Sequence, residues 1–168
     1  MIKIANMAVS MGLNREQAMG MLANATSESG LDPFSKGDNG SAYGLFQWHP
    51  DRQARYAALY GHTMQSVTDR DAAIKEQMGF ANWELTHTEK RAGELLHKTN
   101  NAGVAGAIVS RYFLGPKDQD GEAGRRGAMA EYLSSRNSVV GAALSGARGG
   151  ADAGSTITNN VTVHAPGG

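Results

Sequence analysis

This sequence predicts a mostly α-helical α+β domain with a small β-hairpin flap and a low-complexity C-terminal tail. Three observations predict it. Apolar residues recur at helical spacing through most of residues 2–134. Turn residues and aromatics interrupt that pattern from Phe34 to Gln47. After Arg136 the composition shifts to Gly, Ala and Ser. With 168 residues, the chain has the length for one domain with its own core plus a tail, placed at residues 1–136 and 137–168.

Composition narrows the function. Sixteen basic and sixteen acidic residues give a formal net charge of +0. Field-driven binding to nucleic acid or to an anionic membrane is therefore not expected. The absence of cysteine removes disulfides, thiol catalysis and Cys-based zinc sites. His62, His87 and His97 lack metal-ligand spacing, so no cofactor is expected. No apolar run reaches the roughly 20 residues that span a bilayer, and Met1-Ile-Lys-Ile-Ala-Asn6 lacks the apolar core of a signal peptide.

The elements follow in order. Ile4, Met7, Ala8 and Met11 mark a short helix over about residues 2–11, ending at Gly12. Asn14 caps a second helix, which Gly30 stops and Pro33 keeps from resuming. Ser35-Lys-Gly-Asp-Asn-Gly40 is turn chemistry, and with Ser41 to Trp48 it predicts a hairpin or extended flap. Pro50 opens a third helix through Tyr56, Leu59 and Tyr60, closed by Gly61. Thr68 and Asp71 form a variant capping box for a long helix with Ile74, Met78, Ala81 and Leu85 inward. A shorter helix runs from about Glu89 to His97. Val104, Ile108 and Tyr112 then share the face of a largely buried helix, ended by Gly115-Pro116. The last helix runs from about Glu122 to Ser134, with Met129, Ala130 and Leu133 inward. Ser138 to Gly154 reads as a linker, and Thr156 to His164 alternates like a strand.

One residue breaks the apolar pattern of the second helix. Glu28 lies seven residues after Met21 and three after Ala25, on the stripe that also carries Ala18 and Leu22. An acid on an apolar face, at the negative end of a helix dipole, is expected to keep its proton. A carboxyl group that stays protonated is a general acid, the group that glycosidases use to protonate a leaving sugar oxygen. The competing reading is a glutamate turned outward at a frayed helix end.

The stretch Glu28-Ser29-Gly30, followed by a Gly-rich turn and Gly44-Leu45-Phe46-Gln47, resembles the lysozyme-like peptidoglycan hydrolases. It is similar to goose-type lysozymes and soluble lytic transglycosylases, and most of all to the lysozyme domains of bacteriophage tail proteins. The likeness is strong over about residues 22–53. Beyond them, Tyr112-Phe113-Leu114-Gly115-Pro116 with Arg126 and Ala130 looks like the last helices of the phage tail form, and the Asn-rich strand after the linker resembles segments of tail tape-measure proteins. The resemblance implies a lysozyme-like fold and a muramidase cleaving the β-1,4 bond between N-acetylmuramic acid and N-acetylglucosamine. It further implies peptidoglycan and other tail proteins as partners, and a place in the virion. It makes Glu28 the catalytic acid, with Ser29 beside it, and Asp38 the residue that holds the attacking water.

Where the goose-type pattern has a second Asp, this sequence has His49, with Asp51 two residues further on. An inverting hydrolase needs its two carboxyl groups roughly 6.5–9.5 Å apart, which residues on different elements can meet. Taken by itself, Asp38 is an ordinary Asp-Asn-Gly turn residue. Tyr43, Trp48, Trp83 and Tyr112 are candidates to stack on sugar faces, and Gln47 to bond an N-acetyl group. His49 is a further candidate at the cleft. The Arg125-Arg126 pair reads as a solvated face or a salt bridge, with Arg126 a candidate anchor for the last helix. Two alternatives stay open: a lytic transglycosylase, which needs no second carboxylate, and a non-catalytic glycan-binding tail module.

Overall fold

Seven α-helices and one two-stranded antiparallel sheet make up the described part of the computed structural model, which covers the backbone of residues 1–151 and the side chains of residues 1–136. In chain order these are α1 (Ile2–Ser10), α2 (Arg15–Ser29), β1 (Lys36–Gly37), β2 (Ala42–Tyr43), α3 (Pro50–Tyr60), α4 (Arg70–Thr86), α5 (Lys90–His97), α6 (Ala102–Ile108) and α7 (Gln119–Ala151). A π-helical turn, Val109–Leu114, continues α6. Met1–Ser135 form one compact unit.

Helix α2 is central because its middle, Ala18–Ala25, is apolar on every side except at Asn24. Ala18, Met21, Leu22, Ala23 and Ala25 are fully buried, and α2 packs against both α1 and α6. At its start the Asn14 side chain accepts from the Gln17 N–H, while the Gln17 side chain accepts from the Asn14 N–H, at 2.9 Å each. At its end Gly30 takes a left-handed φ of 62°. Close packing on α6 depends on Gly20. A Cβ there would lie 2.7 Å from the carbonyl carbon of Ala105. Gly20→Val is therefore expected to push the helices apart and destabilise the domain by about 2–3 kcal/mol. A fall in Tm of several degrees checks this.

Several expectations hold. Asn14 caps α2, Pro50 opens α3, and Gly61 and Gly115 end their segments in the left-handed region. Ile74, Met78, Ala81 and Leu85 are all buried. Others need correction. The cap of α4 is Asp69, whose carboxylate accepts from the Ala72 N–H at 2.8 Å, rather than Thr68 with Asp71. Asp71 instead pairs with Lys3 on the surface. On α6 the buried residues are Ala102, Gly103, Ala105 and Gly106, followed on the π turn by Val109, Ser110 and Phe113, whereas Val104 is half exposed. Small residues, not the larger Val104–Ile108–Tyr112 row, let α6 approach α2, and the π turn resets the register so that Phe113 points inward. The last helix, expected from about Glu122, begins at Gln119. The strand expected over residues 156–164 lies outside the described residues.

Candidate active site

Glu28 stands in the last turn of α2, and its neighbour bolts that turn to the flap. Ser29 Oγ lies 3.0 Å from Leu45 O and 3.0 Å from Ala25 O, so the helix end and the Gly44–Leu45 turn are held together. The flap is a short hairpin in which Lys36 pairs with Tyr43 and Gly37 with Ala42. Asp38 and Asn39 make its tip with φ of 48° and 55°, a conformation that Asp and Asn tolerate.

Below the flap, buried Gln77 of α4 sets the path of the chain. Its Oε1 accepts from Leu45 N–H at 2.9 Å, and its Nε2 donates to Pro33 O at 2.8 Å. Gly44 has a φ of 83°, and a Cβ there would lie 2.6 Å from Gln77 Oε1. Only glycine fits that crossing.

These supports open a cleft of about 560 Å³. Glu28, Asp38, Phe46, Gln47, His49, Arg52 and the segment Leu114–Lys117 line it. The two carboxylates singled out by sequence therefore meet in one cleft, one from a helix end and one from a hairpin tip. His49, at the start of α3, places Nε2 3.5 Å from Asp38 Oδ2, with both side chains more than half exposed. Gln47 reaches the cleft, but its Nε2 donates to Gly44 O at 2.9 Å and lies 3.3 Å from Ser35 O, so its amide braces the flap.

The surroundings of Glu28 differ from the apolar pocket expected for it. Its side chain is 22% exposed, and Arg126 Nη2 donates to Oε1 at 2.9 Å. The stripe on α2 correctly places Glu28 on the inward face, but the partner there is a guanidinium from α7. Arg126 also reaches Asn24 O, through Nη1 at 3.2 Å, and Glu122, so it ties α7 to the end of α2. The Glu122 carboxyl is held below the usual carboxylate range by hydrogen bonds from Arg125 and then Arg126. Arg125 itself lies on the surface between Glu122 and Asp118.

The aromatic candidates are mostly not on the cleft. Trp48 is 0% exposed and Tyr43 5%, so both rings belong to the core and neither face is open to a sugar. Burial, followed by the charge of Asp32, pushes the Tyr43 hydroxyl up from its ordinary value. Tyr112 is half-buried under the Arg91 guanidinium, 5.1 Å from the ring centroid, and is not part of the cleft wall. Trp83 stacks between Phe80 and His87.

A buried charge cluster under the cleft went unnoticed in the sequence. Glu84 of α4 has a side chain 0% exposed; its carboxylate accepts from Trp48 Nε1 at 2.8 Å and from Arg52 Nε at 2.7 Å. Arg52 Nη1 donates to Phe113 O at 3.2 Å, and its guanidinium lies over the Phe113 ring. The flap through Trp48, α3 through Arg52 and α4 thus meet at one carboxylate, and Arg52 links it to the π turn. The signal for Glu84 was the one that marked Glu28, an acid at helical spacing from apolar residues: it lies four residues after Phe80 and three after Ala81. Among the described residues no group of three or more His, Cys, Asp or Glu side chains is placed to hold a metal, and no helix is long and apolar enough to cross a membrane.

A helical domain whose helix-end glutamate shares a cleft with a hairpin carboxylate defines the class as a lysozyme-like domain. Residues 1–136 match the phage tail lysozyme family, and the chain belongs to that family. No curated protein matches the chain. Family membership makes this a phage-associated, glycosidase-type enzyme that degrades the bacterial cell wall, with peptidoglycan as its substrate.

Proposed function

We propose that the protein is a muramidase, hydrolysing the β-1,4 bond between N-acetylmuramic acid and N-acetylglucosamine. Glu28 protonates the leaving glycosidic oxygen, and Asp38 holds the water that attacks from the other side of the sugar. The observation that carries this reading is the presence of both carboxylates, from different elements, on the wall of one cleft. His49 orients Asp38 across their 3.5 Å contact and stands where the goose-type pattern has its second carboxylate. The enzyme acts from the virion, as part of a tail assembly, and thins the cell wall locally.

A digest of purified peptidoglycan read by mass spectrometry tests this directly. Products with a reducing muramic acid end are expected. Ends in 1,6-anhydromuramic acid would assign the chain to lytic transglycosylases, and wall binding without cleavage would make it a glycan-binding tail module. Asp38→Asn is expected to slow hydrolysis about a hundredfold, in the range that one positioned base contributes. Asn tolerates the φ of 48° at this tip, so the turn survives the substitution. Reducing-end release at an unchanged rate would leave Asp38 a turn residue only.

A further inference from the structure

The contact that departs most from the sequence expectation is the guanidinium on the proposed acid. An opposite charge in contact with a carboxyl group favours its ionised form. General acid catalysis needs the protonated form. Arg126, left alone with Glu28, would oppose the reaction.

Arg126 is not left alone with it. Nη2 lies 2.9 Å from Glu28 Oε1 and also 2.9 Å from Glu122 Oε2, and Nε bonds the same Glu122 oxygen at 3.0 Å. Glu122 lies four residues before Arg126 on α7, so the helix itself fixes their spacing. One guanidinium is divided between two carboxylates from two helices.

We propose that Glu122 is a positioning residue for the reaction: by sharing Arg126 it offsets the guanidinium's charge, so Arg126 orients Glu28 without holding it as the anion. This rests on the reading of Glu28 as the acid. The low range of the Glu122 carboxyl keeps it anionic through neutral pH, so the offset is always present. The other charged groups around the cleft are Asp38, His49, Arg52 and Lys117. Arg52 is committed to Glu84, and His49 lies against Asp38. On the outer side, Arg125 draws on Glu122 through Oε1 at 2.7 Å, and Asp118 in turn draws on Arg125.

The experiment is the pH–rate profile of the full chain on purified peptidoglycan, with Tm measured for each variant. Glu122→Gln keeps the shape and a hydrogen bond but removes the offsetting charge. Its alkaline limb, where the acid loses its proton, is expected to move about one pH unit toward acid, with kcat lowered up to tenfold above the limb and KM unchanged. Glu122→Asp keeps the charge and is expected to restore the limb. Arg125→Gln, at an exposed site that does not threaten the fold, frees more of the Glu122 charge for Arg126 and is expected to move the limb the opposite way. Limbs at the wild-type position in both Gln variants, with Glu28→Gln inactive, would overturn the role of Glu122 and spare that of Glu28. Undiminished activity in Glu28→Gln would overturn both.

Discussion

Glu28→Gln is expected to abolish degradation of purified cell walls, lowering the rate by a factor of about a thousand or more, while Tm stays within a few degrees of the parent. The substitution is isosteric. The amide oxygen still accepts from Arg126 Nη2, now 2.9 Å from Glu28 Oε1, so the tie between α2 and α7 is kept. Ser29, the residue that bolts the helix end to Leu45 O, is untouched. The transferable proton is lost, together with the carboxyl group's capacity to pair its charge with Arg126. General acid catalysis contributes about 10²–10⁴-fold, and a glycosidic oxygen leaves poorly without protonation. Turbidity loss of a cell-wall suspension, read beside a thermal melt, separates loss of chemistry from loss of fold. Full clearing by this variant would remove the acid from position 28.

How far the site was legible in the sequence depends on how local each feature is. Glu28 and its helix were readable because cap, apolar stripe, Gly30 and Pro33 all lie within twenty residues of one another. The flap was readable from its turn residues, and its two-residue strands are as short as the run allows. The environment of Glu28 was not readable. A stripe shows which residues share a helix face, but Arg126 comes from 98 residues further along the chain, and no local pattern says which helix it will meet. Trp48 and Tyr43 show the same limit in reverse. Their place in the flap suggested sugar contacts, yet a hairpin this short cannot shield the domain interior unless its large residues fold under it. The α6 face was misread because volume was taken as the guide to burial, whereas Ala105 and Gly106 are buried for being small, against Gly20 of α2 and Arg126 of α7.

Glu84→Ala is expected to destabilise the domain by about 3–5 kcal/mol, and to close the cleft's function with it. The cost does not come from losing a favourable ion pair. A buried pair returns in Coulomb energy roughly what its desolvation costs. It comes from what is left behind: Arg52, with a side chain only 13% exposed, keeps its charge without its carboxylate, and Trp48 Nε1 loses its acceptor inside the core. For a chain of this size that corresponds to a fall in Tm of roughly 10 °C or more. Because Arg52 lines the cleft and bonds Phe113 O, releasing it also loosens the wall that runs on to Leu114–Lys117. Replacing both partners, Glu84→Leu with Arg52→Met, is expected to recover the part of the stability lost to the orphaned charge, while the buried Trp48 Nε1 still lacks its acceptor. Activity should recover less than Tm, as the guanidinium that braces the π turn is gone. A double-mutant cycle on melting temperature and on wall clearing measures the two losses separately, and equal, additive destabilisation by the two single changes would show that Glu84 and Arg52 do not act as a unit.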